Sequence, residues 1–246
     1  MRLDGRIGLA VRREGASGAL RLIARWAARP LICSEDHIWY ACDLTAERPR
    51  VSLAAGQELR RVGEAESEVF EQIPNVTVGE CRRRIRAGHD VWTVIEEGRV
   101  LFSCTIFRGE APAVAGAGGR VRLAAGTVCL EDSMTAPDAR RREVASAALL
   151  AVLQTLAAQD ARWVITKVAV DNVATRRGAE KLGFEGVAVM HLRRIGPRSR
   201  TWLDEVDGAG AHTVVRQIEW GLGIVSHPER RHAVPQVGPA AEQPHA

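Results

Sequence analysis

Three consecutive arginines, Arg140, Arg141 and Arg142, stand between Pro137 and a long apolar run that begins at Val144. The run has helical spacing, so the arginines fall at its first turn. Backbone N–H groups are unpaired there, and the helix dipole is positive. Cations at that end oppose the dipole, and three together call for a compensating anion. Guanidinium forks beside free N–H groups suit an anion with several phosphate oxygens. The arrangement points to a phosphorylated ligand; the alternative is a solvated surface turn.

A second set of reactive groups comes just before it. Glu131 and Asp132 end an apolar, β-rich run, Thr127–Met134. Strand neighbours point to opposite faces, so one carboxylate is expected toward a cleft and the other toward the helix layer or solvent. A carboxylate in a cleft can take a proton from an amine, directly or through water. It can equally be half of a structural ion pair.

The elements around these residues read as a mixed α/β chain. His37–Leu44 reads as a strand, and Leu59–Ile73 and Val78–Ala87 as two helices. Val91–Ile95 and Val100–Phe107 are β-rich runs joined by Glu96-Glu97-Gly98-Arg99, a hairpin signal. A Gly/Ala-rich loop covers Gly109–Gly126. Then follow strand Thr127–Met134, helix Val144–Gln159, strand Trp163–Val170, helix Ala174–Leu182 and strand Gly186–Arg194. Thr213–Ile218 suits a final strand or a short helix. From Ser226 onward the composition predicts a disordered tail. Ser17–Arg29 reads as a basic amphipathic helix ended by Pro30, packed on the domain or lying on anionic lipid.

Composition narrows the function classes. At 246 residues and 46% hydrophobic content the chain can bury a substantial core. The net charge is +4, and lysine occurs only at Lys167 and Lys181, so arginine carries nearly all the positive charge. No nucleic-acid motif accompanies it, so nucleic acid is not an expected partner. Cys33, Cys42, Cys81, Cys104 and Cys129 form no CxxC pair, which argues against a metal site and fits a reducing, cytoplasmic setting. No apolar run is long enough to span a bilayer.

The segment Glu131–Phe184 resembles the acyl-CoA-binding half of a GNAT-superfamily N-acetyltransferase. The family's phosphate loop is Arg/Gln, two residues, Gly, one residue, then Gly or Ala. Arg140 and Ala145 match it, and Glu143 stands where glycine is usual. Leu130-Glu131-Asp132-Ser133 resembles the end of the family's fourth strand. Asn172-Val173-Ala174-Thr175 and Glu180-Lys181-Leu182-Gly183-Phe184 resemble the helix after its fifth strand.

The resemblance implies a GNAT-like, mainly antiparallel sheet flanked by helices over 44–195. An extension over 1–43, another over 196–225 and a tail over 226–246 would flank it. It implies acetyl-CoA as co-substrate and no metal. The phosphates would lie over Arg140, Arg141, Arg142, Glu143, Val144, Ala145 and Ser146, and the pantetheine arm against Ser133, Met134 and Thr135. Asn172 and Thr175 match ligand-side positions, although Asn172 also suits a helix cap. Glu131 would be the general base, with Asp132 the second candidate catalytic carboxylate. The family's proton donor to the thiolate, a tyrosine, is replaced by Ala179, and the only tyrosine is Tyr40.

The expected activity is transfer of an acetyl or other short acyl group to a small-molecule or protein amine, in a bacterial enzyme; a homodimer is compatible with it. The rival expectation is a non-catalytic CoA-binding or partner module.

Overall fold

A computed structural model describes residues 32–49, 52–73, 76–206 and 212–224, and the backbone of 231–232. The expected Ser17–Arg29 helix and most of the expected tail lie outside the described residues. The strands are β1 (Ile32–Asp43), β2 (Gln57–Arg61), β3 (Asp90–Glu96), β4 (Arg99–Arg108), β5 (Glu110–Pro112), β6 (Arg120–Arg122), β7 (Thr127–Thr135), β8 (Trp163–Ala169), β9 (Glu185–Ile195), β10 (Arg198–Val206) and β11 (Arg231–His232). The helices are α1 (Val78–Arg86), α2 (Val144–Ala157), α3 (Val173–Lys181) and α4 (His212–Leu222).

Among the described residues, nine strands make one sheet in the order β11-β10-β9-β1-β8-β7-β4-β3-β2, and β5 and β6 pair separately. The sheet is mainly antiparallel; β7–β8 and β10–β11 are its parallel pairs. Strand alternation sorts the core onto two faces. Ile38, Tyr40, Val128, Leu130 and Val168 pack with Leu149, Val152, Leu153 and Leu156 of α2 and with Ala179 of α3. The intervening residues Trp39, Ala41, Cys129 and Ile165 pack on the other face with Val214, Val215 and Ile218 of α4 and Val121 of β6. Gly221 makes that second layer close: a Cβ there would lie 2.2 Å from the Arg122 carbonyl oxygen. Thus α4 tolerates a poor helix former because β6 runs against it.

The hairpin signal between β3 and β4 is realised. Glu97 and Gly98 both have positive φ, 49° and 77°, as a tight two-residue connection requires. Other expectations need correction. Leu59–Ile73 is not a helix: Gln57–Arg61 pairs with β3 along the sheet edge, and only Glu64–Gln72 turns, as a 3-10 helix. The apparent helical period there joins two elements separated by Gly63. The loop Gly109–Gly126 contains the β5–β6 hairpin, held by Glu110↔Arg122 and Pro112↔Arg120 pairing. Thr213–Ile218 lies inside α4.

The boundaries expected at 43/44 and 195/196 both fall within the sheet. Strand β1 is not part of a separate extension; it is inserted between β8 and β9 and is antiparallel to both. Strand β10 continues the sheet beyond β9. The sequence reading stopped at Gly196 because β10, Arg-Ser-Arg-Thr-Trp-Leu-Asp-Glu-Val, lacks a clean apolar alternation.

Candidate active site

The site starts with a divergence of two parallel strands. β7 and β8 pair only from Thr127↔Trp163 to Cys129↔Ile165. Both strands continue, β7 to Thr135 and β8 to Ala169. Beyond Cys129 the edge of β7 facing β8 is therefore open, while its other edge remains paired with β4 through Thr135. A V-shaped cleft results, with Ser133, Met134 and Thr135 along one arm. Open backbone donors and acceptors on that arm can pair with an extended amide-bearing ligand, much as another strand would.

A bulge produces the divergence. Thr105 pairs with Glu131 and Ser103 with Met134, so β7 has an excess residue between these pairs. Asp132 takes it up with φ 53°. Left-handed backbone costs an L residue about 1–2 kcal/mol. Arg84 of α1 offsets this: its guanidinium donates to Asp132 Oδ2 at 2.6 Å, Thr105 Oγ1 at 2.8 Å and Glu80 Oε1 at 2.8 Å. A hydrogen bond to a charged group contributes about 1.5–3 kcal/mol, enough to hold the bulge.

The bulge also overturns the expected alternation of Glu131 and Asp132. Thr105 and Glu131 are directly opposed and share a face of the sheet, and Arg84 joins Thr105 to Asp132 on that same face. Both carboxylates thus lie on the α4 side.

Glu131 sits where the two strands separate. Its Oε1 accepts from Lys167 Nζ at 2.5 Å and lies 3.6 Å from Cys129 Sγ. Lys167 also donates to the Pro112 carbonyl at 2.8 Å, and its ammonium lies 5.7 Å from the Trp39 ring centroid. Both side chains are largely buried, 16% exposed for Glu131 and 14% for Lys167. Burial pushes the Glu131 carboxyl above the usual carboxylate range, and the Lys167 charge offsets part of that rise. Burial acts downward on Lys167, but the carboxylate outweighs it and the ammonium is held protonated. Both of these contacts fall on Oε1, so Oε2 has no protein donor among the described residues.

The arginine loop lies at the start of α2, at the C-terminal end of β7. Pro137–Ala139 forms a 3-10 turn, and α2 begins at Val144. The Ala147 N–H donates to the Glu143 carbonyl at 3.0 Å, so the N–H groups from Glu143 to Ser146 precede the helical ladder. Arg141 and Glu143 both have positive φ, 69° and 56°. Such turns point successive N–H groups into a concavity suited to an anion.

The three arginines are not equivalent. Arg142 donates to both oxygens of Glu96, at 2.7 and 3.0 Å. Arg140 and Arg141 are exposed and have no ion-pair partner among the described residues. Glu143 caps α2 in left-handed backbone with no side-chain cap bond, the conformation for which glycine is favoured.

Asn172 is a helix cap: its side chain accepts from the Thr175 N–H at 3.3 Å, tying both residues into the first turn of α3. Tyr40, remote in sequence, comes to α3 through the insertion of β1. Its hydroxyl donates to Glu180 Oε1 at 3.1 Å and accepts from Arg176 Nε at 3.3 Å. Burial pushes this phenol up. These contacts lie on either side of Ala179 in sequence. Sequence reasoning missed Lys167, Arg84 and Tyr40 as parts of the site. Lys167 carried a usable signal, being one of two lysines and the charge inside an otherwise apolar strand.

Comparison with known proteins agrees with this architecture. Residues 64–184 match the Acetyltransferase (GNAT) family. These residues form a GNAT-superfamily domain. A GCN5-related N-acetyltransferase from Sphaerobacter thermophilus superposes with a TM-score of 0.50 at 16% identity, over 77% of this chain and 57% of its own. A GNAT-family protein from Novosphingobium aromaticivorans gives 0.49 at 17% identity, over 66% and 65%. A tandem GNAT protein from the clavulanic acid biosynthesis pathway gives 0.47 at 16% identity, over 67% and 55%. The match thus spans less than two thirds of the length of each of these proteins, and at 16% identity the likeness to the Sphaerobacter protein shows the fold alone. Curated proteins give no match. Within the GNAT domain, residues 64–184 contain the cleft-forming strands β7 and β8, the arginine loop and α3.

Proposed function

We propose that this chain is an acyl-CoA N-acyltransferase that moves an acetyl or other short acyl group to an amine by direct attack. The observation that carries the reading is the V-shaped opening between β7 and β8, with a phosphate-suited loop at its wide end and a buried carboxylate at its narrow end. Arg140, Arg141 and the N–H groups from Glu143 to Ser146 would hold the CoA phosphates. The open edge of β7 at Ser133–Thr135 would pair with the pantetheine amides. Asn172 and Thr175 serve the ligand by fixing the start of α3.

In the chemical step the amine nitrogen bonds to the thioester carbonyl carbon and the C–S bond breaks. Glu131, through Oε2, accepts the proton lost by the amine. The departing thiolate takes its proton from solvent, since Ala179 offers none. The acceptor approaches from the face carrying Glu131, Lys167 and the β5–β6 hairpin. Burial raises the Glu131 carboxyl, so turnover should rise with pH through a value above the ordinary carboxylate range and fall below it as Glu131 takes a proton.

Calorimetric titration with acetyl-CoA tests the binding half of the proposal. Saturable one-to-one binding that weakens with salt is the expected result; no binding by the folded chain contradicts it. The Glu143→Gly variant sharpens the test. It replaces an L residue at φ 56° and removes a carboxylate next to the phosphates. Relief of left-handed strain, about 1–2 kcal/mol, exceeds or matches the entropic cost of glycine, about 0.5–1 kcal/mol. Glu143→Gly should therefore keep or raise the melting temperature and tighten acetyl-CoA binding. Looser binding with an intact fold would make Glu143 a ligand contact instead.

A further inference from the structure

Lys167 is absorbed by none of the roles above, yet it occupies the point where the cleft begins. Cys129 and Ile165 are the last paired residues of β7 and β8. Glu131 and Lys167 follow them by two residues each and therefore continue the pairing on the same face, with a side-chain ion pair replacing the backbone ladder. The ammonium is fixed from three directions: by Glu131 on β7, by the Pro112 carbonyl on β5 and by the Trp39 ring on β1. Three fixed contacts on a four-carbon stem leave the ammonium little freedom, and the carboxylate it holds loses the same freedom.

We propose that Lys167 is the positioning residue for Glu131: it closes the narrow end of the cleft, holds Oε1 and leaves Oε2 for the acceptor. This rests on the reading of Glu131 as the base.

The electrostatics around the pair are specific. Asp132 on β7 is the other carboxylate nearby, and Arg84 of α1 neutralises it. The Cys129 thiol is pushed far up by burial and stays uncharged. His37 on β1 is held down, by burial first and with Lys167 also acting downward, so it adds no positive charge at neutral pH. Lys167 is consequently the charge that opposes the burial of Glu131. An opposite charge at such range lowers a carboxyl pKa by about 1–3 units. Without it burial would push the Glu131 carboxyl further up, to the cost of its capacity to take a proton from the amine.

The test compares the full-length chain with Lys167→Gln, which keeps donors for Glu131 and Pro112 but no charge, and Lys167→Arg, which keeps the charge. The primary readout is the carboxyl ¹³C titration of Glu131 in glutamate-labelled protein, assigned by loss of its signal in Glu131→Gln. The expected result is an upward shift of the midpoint by about 1 unit or more in Lys167→Gln and a midpoint near the wild-type value in Lys167→Arg. The acidic limb of the pH–rate profile should shift in parallel. An unmoved midpoint in folded Lys167→Gln overturns the proposal. Should Lys167→Gln fail to fold, Lys167→Met combined with Glu131→Gln removes both charges. Recovery of folding in the double variant would support the pairing, and failure there too would overturn it. Absence of turnover in the wild type counts against the acyltransferase reading, whereas the NMR midpoint still decides the role of Lys167.

Discussion

Glu131→Gln is expected to lower turnover by about 10²–10⁴-fold, the contribution of a positioned general base, with little change in acetyl-CoA affinity. Glutamine keeps the shape and can still accept from Lys167, but its amide cannot take the amine's proton. The acidic limb of the pH–rate profile should disappear with it. The substitution also strands the Lys167 ammonium, 14% exposed, without its counter-charge. Breaking a buried pair costs about 3–5 kcal/mol, so lost activity alone would not separate chemistry from unfolding. Adding Lys167→Met separates them, because replacing both members of a buried pair is often neutral. The double variant should regain much of the stability and none of the turnover. Retained turnover in folded Glu131→Gln would remove Glu131 from the mechanism.

Arg140→Ala with Arg141→Ala is expected to weaken acetyl-CoA binding at least tenfold and to flatten its salt dependence. Each charge-assisted contact contributes about 1.5–3 kcal/mol, and each 1.4 kcal/mol is about tenfold in affinity. Exposed charges are screened by salt, so the loss should be largest at low ionic strength. Arg142→Ala should do much less to binding, because Glu96 already holds that guanidinium. Equal losses from Arg142→Ala and from the Arg140/Arg141 pair, measured by calorimetry in folded proteins, would contradict the division of roles.

That division was invisible in the sequence, where three adjacent arginines look alike. Glu96 lies on another strand, and no local pattern announces the pairing. The mixed α/β layout was legible because β7, α2, β8 and β9 carry apolar runs with clear breaks, and the GNAT-like form of the sheet was what the motif resemblance over Glu131–Phe184 implied. The ligand-side positions that the resemblance implied fall at element ends marked by Pro137, Asn172 and Gly183. What failed was anything set by contacts remote in sequence. The alternation rule placed Glu131 and Asp132 on opposite faces; a bulge held by Arg84, nearly fifty positions away in the chain, put them on one. The interior placement of β1 was hidden because its apolar stretch, Ile38–Cys42, reads the same at an edge or in the middle. That placement also brings Tyr40 to α3, where its hydroxyl bonds residues flanking Ala179. The charged edge strand β2 was mistaken for part of a helix, since five residues cannot show a period.

The most direct measurement of the central claim is thiol release from acetyl-CoA by the full chain across a panel of small primary amines, amino sugars and amine-bearing peptides. The acyltransferase reading predicts release that depends on the amine, equals the acetylated product in amount, and falls at acidic pH as Glu131 is protonated. Acetyl-CoA binding with no amine-dependent thiol release across the panel would contradict it and identify the cleft as that of a binding module.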